Sequence, residues 1–186
     1  MSDQVELTNP VELSVGGMSG HVLRRGIHLA MSLLPFLYFE FGEDVAEAVS
    51  LTLEQVVSSV ILIAVFGEAL RLKMGWTIVG QRSYEAKQVS ALAWGALGVG
   101  MVFLLAPEPE YAYPLILSLS LGDPLLGELR RKGVSTRTVI AAGTIGIALI
   151  WVACAIWVAT PWLLVPLMAP ICVAAEWPRL RYIDDN

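Results

Sequence analysis

Three short constellations of charged residues carry the chemistry this sequence offers. Arg24-Arg25-Gly26-Ile27-His28 sets two guanidiniums four and three residues before an imidazole. On a helix these side chains share one face. Paired guanidiniums grip phosphate oxygens in bidentate fashion, and the imidazole can donate a hydrogen bond or move a proton. Glu68-Ala69-Leu70-Arg71 places a carboxylate three residues before a guanidinium, a spacing that suits a carboxylate orienting a phosphate-binding Arg or helping to hold a divalent metal. Gly122-Asp123-Pro124 puts an acid between two helix-disrupting residues inside an apolar stretch, which then runs through Gly127 and Glu128 into Arg130-Arg131-Lys132. An acid there is costly and usually marks a site. Its hard oxygens suit Mg²⁺, with water and nucleotide phosphates completing the shell. Two further elements extend the set: Glu85 in a charged loop with Arg82 and Lys87, and Glu176 followed by Asp184-Asp185-Asn186, whose acids could join Asp123 in a metal-phosphate site.

Each constellation also has a plainer reading. Arg24 and Arg25 can be a stop-transfer pair beside an interfacial His, and Glu68 with Arg71 an intrahelical ion pair. Asp123 can cap a helix, and the terminal acids can be a solvated tail. Gly17-Met18-Ser19-Gly20 has the Gly-x-Ser-Gly form of intramembrane serine proteases, but it precedes the first apolar segment and lacks a His partner on the second. Cys154 and Cys172 fall within apolar stretches, where a thiol packs as a small hydrophobe.

The elements that must position these residues are apolar. The 186 residues are 56% hydrophobic and only 16% charged, with mean hydropathy +0.66, which points to lipid as the solvent. Six apolar segments follow from the pattern: Ile27 to Phe41, Leu53 to Leu70, Val89 to Ala106, Tyr113 to Leu126, Val139 to Thr160 and Trp162 to Trp177. The expected fold is an all-α, polytopic transmembrane bundle of about six helices, with residues 1–20 as a flexible leader and 21–186 as one transmembrane domain. No cleaved signal is expected, because the leader has no apolar core and no Lys or Arg. The fourth segment, holding Pro114, Gly122 and Pro124, should sit inside the bundle or break near its end. Thr160-Pro161 should turn a tight antiparallel hairpin between the last two.

With six crossings, all 12 Lys and Arg residues fall on one side of the bilayer. The other side carries Glu43, Asp44, Glu47, Glu54, Glu108 and Glu110. By the positive-inside rule the basic face is cytoplasmic, and so are both termini. A net charge of −5 and a pI near 5.0 argue against a nucleic-acid partner. Glu68, Asp123 and Glu176, acids at apolar depth on the basic side, suggest a polar cavity there.

Taken in order, these pieces resemble the dolichol kinase/phytol kinase family of CTP-dependent lipid kinases, which is related to the CDP-lipid synthases. The resemblance rests on Arg24, Arg25 and His28 before the first helix, Glu68 and Arg71 at a helix end, Glu85 in a polar loop, Gly122 and Asp123 followed by Gly127 and Arg131, and Glu176 with Asp184, Asp185 and Asn186. The stretch Arg137 to Ala141 departs from the family's Lys-Ser-x-Glu-Gly, and the family continues past Asp-Asp-Asn into another apolar helix. The resemblance implies transfer of the γ-phosphoryl group of CTP to a lipid hydroxyl, of an isoprenoid alcohol or diacylglycerol, at the cytoplasmic face. It also implies roles: Asp123, Asp184 and Asp185 on Mg²⁺, Arg24, Arg25, Arg71, Glu85, Gly122 and Arg131 around the nucleotide phosphates, and His28 or Glu68 on the hydroxyl proton. Two alternatives remain from the residues alone: a CDP-lipid synthase, or a non-catalytic transporter or assembly protein.

Overall fold

The computed structural model describes residues 14–175. Its regular elements are helices: α1 (Gly17–Met31), α2 (Leu34–Ala48), α3 (Leu53–Met74), a 3₁₀ turn (Ser83–Lys87), α4 (Ala91–Leu105), α5 (Pro109–Leu117), a π turn (Ser118–Gly122), α6 (Asp123–Arg131), α7 (Thr136–Trp157) and α8 (Leu164–Ala175). The only pairing of strand type among the described residues is an isolated antiparallel bridge between Ser14 and Arg82. Helix α1 begins at Gly17, inside the stretch expected to be leader, and residues 1–13 lie outside the described residues.

Prolines explain where the rods bend. The first apolar segment, Ile27 to Phe41, is not one helix: it is split at Ser32-Leu33 between α1 and α2. Pro35 has no N–H for the Met31 carbonyl, and its ring crowds that group. The fourth segment runs as one rod from Pro109 to Arg131, widened in the middle into the π turn rather than broken. Pro124 would collide with the Ser120 carbonyl in a regular helix, and the wider turn relieves this. The polar groups of that turn are satisfied internally, since Trp151 Nε1 donates to Ser118 Oγ at 2.9 Å and Ser120 Oγ donates to the Ile116 carbonyl at 2.6 Å. Pro114, inside α5, leaves the Glu110 carbonyl without its helical donor, and Thr160 Oγ1 fills the gap at 2.7 Å. That bond ties the α7–α8 turn to α5.

Two cores hold the bundle. One joins α6, α7 and α8 through Leu126, Val139, Ile147, Trp151, Ala169 and Val173, and the other joins α3, α4 and α5 through Val57, Val99, Phe103, Ala112 and Ile116. Small residues bring the helices close: a Cβ on Gly100 of α4 would stand 2.5 Å from Ile61 of α3.

The outer surface is apolar in a way that water would penalise. Helices α3 and α7, each of 22 residues, are long and apolar enough to cross a membrane, yet only 6% of the apolar window of α3 is buried. Leu62, Ile63 and Phe66 point outward from it. Helix α1 has inverted polarity: Met18, Val22, Leu29 and Leu33 at its end are exposed, while His21, Arg24, Arg25 and His28, spaced along the opposite face, turn into the protein.

Candidate functional site

The polar face of α1 meets two other parts of the chain at one end of the bundle: the loop 75–90, which is tied to the end of α3, and the π turn with α6. The loop is built first. Helix α3 stops at Gly75, whose φ of 67° suits glycine. Arg71 then staples both ends of the loop, donating from Nη1 to the Trp76 carbonyl at 2.6 Å and from Nη2 to the Gln88 carbonyl at 2.9 Å. Glu68 orients that guanidinium with bonds of 2.9 and 2.8 Å and accepts from Ser90 N–H at 2.6 Å. Glu85 accepts from Ala91 N–H at 3.2 Å, so two carboxylates meet the first N–H groups of α4, where the helix dipole favours negative charge.

The loop docks on α1 through backbone alone at one point. Val15 N–H donates to the Gln81 carbonyl at 2.8 Å and Gly80 N–H to the Val15 carbonyl at 3.0 Å. Gly20 has no space for a Cβ, which would lie 3.0 Å from Gly80 N and overlap the Val15 carbonyl oxygen. This approach carries Glu85 to Arg24. The Glu85 side chain is 0% exposed; its Oε1 accepts from Arg24 Nη1 at 2.7 Å and from Arg82 N–H at 2.8 Å.

Arg25 joins α1 to α6. Its Nη1 donates to the Pro124 carbonyl at 3.1 Å, its Nη2 stands 3.2 Å from Glu128 Oε2, and its Nε donates to His21 Nε2 at 3.1 Å. The last bond requires a neutral His21. Burial, then the charges of Arg25, Arg131 and Arg82 against the opposing charge of Glu128, hold the His21 imidazole below its ordinary value. The hydrogen bond from Arg131 keeps the Glu128 carboxyl below the usual carboxylate range.

One step deeper, His28 Nδ1 lies 3.5 Å from Asp123 Oδ2. Asp123 opens α6, so the pair sits roughly 12 Å along that helix from Arg131, at ~1.5 Å per residue. The His28 side chain is 10% exposed and that of Asp123 18%, so the pair lies mostly buried. The charges of His28, Arg24, Arg130 and Arg82 all bear on Asp123.

The sequence-derived residues therefore divide. His28 and Asp123 pair, with Arg24 and Arg25 beside them. Glu68, Arg71 and Glu85 lie at the same end, but their bonds build the loop and the start of α4. Gly122 packs toward α7, where a Cβ would stand 3.2 Å from Ile147. Arg131 bonds Glu128 at the rim. Asp184, Asp185, Asn186 and Glu176 lie outside the described residues. Among the described residues no three His, Cys, Asp or Glu side chains stand close enough to hold a metal ion, and Asp123 turns to His28 instead. Toward the Mg²⁺ that the resemblance implies, the described residues at this point offer the single carboxylate of Asp123. Sequence reasoning missed His21 altogether, and named Arg82, Glu128 and Arg130 within the charged stretches without giving them a role. His21 had a signal: it lies two helical turns before His28 on the same face.

No protein-family model, curated relative or solved structure matches the chain. The site must be read from its own geometry.

Proposed function

We propose that the chain is a polytopic membrane protein that transfers a phosphoryl group from a nucleoside triphosphate, CTP by the resemblance, to the hydroxyl of a membrane lipid alcohol at the cytoplasmic face. One observation carries this reading. His28 and Asp123, from opposite halves of the chain, meet among arginines on the inward polar face of a helix whose outward face is apolar. A lipid alcohol and a water-soluble anion need such a place to meet.

The residues supply what the reaction asks. Asp123 faces Nδ1 of His28, which favours the tautomer protonated there and makes Nε2 the basic nitrogen that takes the hydroxyl proton. Arg24 is locked in place by Glu85, and its charge, with those of Arg82 and Arg130, offsets phosphate charge. Phosphoryl transfer needs alignment and neutralisation more than covalent help. Arg25 fixes α6 against α1, and so holds Asp123 in register with His28. The chain would cross the membrane about six times, with its basic end inside.

Purified protein given γ-labelled CTP with polyprenol or diacylglycerol tests this. Label in the lipid supports the kinase; label in pyrophosphate, with a lipid phosphate as acceptor, supports a CDP-lipid synthase instead. Asp123→Asn keeps the shape but removes the charge that stabilises the imidazolium, and should lower turnover on the order of 10²–10⁴-fold. A second reading, an assembly or transport protein, draws on the internal pairing of Glu68 with Arg71 and Glu85 with Arg24, which organises the bundle without any ligand. Wild-type protein that transfers no label to any lipid would favour it.

A further inference from the structure

Helix α3 ends at Met74, and two residues later the chain presents Trp76, 59% exposed, followed by exposed Ile78 and Val79. The backbone that carries them is held in place. The Trp76 carbonyl is held by Arg71, and Val79 lies so close to Gly16 that a Cβ there would stand 2.9 Å from Val79 Cγ1. Across that contact the exposed Met18 and Val22 of α1 continue the same apolar surface. A stretch of this size facing water would be unusual in a soluble protein.

Its position along the bundle says what covers it. The opposite end has its own exposed tryptophans, Trp157 at 57% and Trp162 at 59%, where α7 ends and α8 is about to begin. A 22-residue helix such as α3 or α7 spans about 33 Å, close to the ~30 Å hydrocarbon core, so tryptophans at the two ends of the bundle would stand at the two headgroup layers. Around Trp76 the charged neighbours in sequence that are not buried, Lys73, Arg82 and Lys87, are cationic, whereas Glu85 is buried against Arg24, and this complements anionic headgroups.

We infer that Trp76, Ile78 and Val79, with the outer face of α1, are embedded in the anionic headgroup layer of the protein's own membrane and moor the loop that carries Arg82 and Glu85. The inference rests on the membrane part of the proposed function and not on its chemistry. The loop is rigidly bonded at both ends, so mooring its apolar tip sets the height at which Arg82 and the Glu85–Arg24 pair stand relative to the lipid surface.

The test uses the full chain in phosphatidylcholine/phosphatidylglycerol vesicles whose acyl chains are brominated either near the headgroup or deep. The emission of each tryptophan is taken as wild type minus its Trp→Phe variant, for Trp76, Trp157 and Trp162. The Trp76 emission should be lost to shallow bromines more than to deep ones and be protected from aqueous iodide. If Trp157 and Trp162 are quenched by bromines while Trp76 answers to iodide, or to neither quencher because a second copy covers it, the mooring is overturned and the membrane reading stands. A Trp76 quenched chiefly by deep bromines also overturns the headgroup placement. If none of the three is quenched by lipid, the membrane reading itself fails, and the mooring with it.

Discussion

Glu85→Gln changes charge without changing volume, and the geometry fixes what that must do. One carboxylate oxygen now receives Arg24 Nη1 and Arg82 N–H, and the other receives Ala91 N–H. Glutamine has one acceptor. With its oxygen toward Arg24, its amide faces Ala91 N–H, donor against donor; flipped, it faces the Arg24 and Arg82 donors instead. The loss is then a charge-assisted hydrogen bond, about 1.5–3 kcal/mol, plus a buried donor left unsatisfied, about 1–3 kcal/mol. Partners removed from buried pairs cost about 3–5 kcal/mol, and because Arg24 retains 16% exposure the lower end, about 3 kcal/mol, is expected. The measurement is reversible denaturant unfolding in mixed micelles, for wild type, Glu85→Gln, Arg24→Gln and the double variant. The double variant should recover about 1–2 kcal/mol relative to additivity. If Glu85→Gln stays within about 0.5 kcal/mol of wild type, Glu85 is not the buried anchor of this end of the bundle, and the positioning of Arg24 needs another explanation.

Acidification should weaken the α1–α6 contact through His21. Its value in the folded protein lies below the ordinary 6.5, so its contribution is present above pH 6.5 and is lost as pH falls through the lowered folded value. His21→Gln, which can still accept from Arg25, should flatten the pH dependence of thermal stability in that window. Gly20→Ala would drive a methyl into the Val15 carbonyl and to 2.8 Å from Ser14 Oγ, at a cost of about 1–3 kcal/mol; hydrogen exchange in residues 76–88 should rise, and unchanged protection there would contradict the docked loop. Thr160→Val should cost about 1–2 kcal/mol by stranding the Glu110 carbonyl, but nearly nothing in a Pro114→Ala background, where the backbone N–H gained at that position replaces the lost donor. Equal losses in both backgrounds would show that the Thr160 bond is not compensating for the proline.

The helices were legible because their signal is local. Each of the six apolar segments overlies helix, and Thr160-Pro161 does lie in the turn between α7 and α8. Interruptions were legible at best as positions. The split at Ser32-Leu33 before Pro35 was not expected at all, and Pro124 marks a position but not whether it breaks the helix or widens it into the turn at Ser118–Gly122. That choice belongs to the neighbours, among them Trp151, whose indole N–H satisfies Ser118. The site divides in the same way. Arg24, Arg25 and His28 share a face by spacing, and Glu68 with Arg71 pairs by spacing. No local pattern links His28 to Asp123 or Arg24 to Glu85, because those contacts come from packing segments distant in the chain. The fully internal bonding of Glu85 was likewise invisible: a charged residue in a charged loop reads as a solvated or ligand-binding group, whereas here it joins the loop to α1 and α4.

The balance of charge at this end narrows what it can hold. Among the described residues, the segments that meet there bring ten Lys and Arg against four carboxylates: Glu68, Glu85 and Glu128, each paired with an arginine, and Asp123, which faces His28. A bare cation would add to an excess that is already positive, in surroundings where apolar side chains keep the local dielectric low and the repulsion strong. An anion with several charges removes the excess and gains from the same low dielectric. Arg24 is braced by the buried Glu85 and Arg25 by Glu128 at the rim, and a guanidinium held in place loses less entropy when it meets an anion than one that must first be ordered. The internal ion pairs, which taken singly read as mere scaffolding, are in this light the means by which a flexible pair of cations becomes a fixed one, with the His28 imidazole held at the depth where a lipid hydroxyl would arrive.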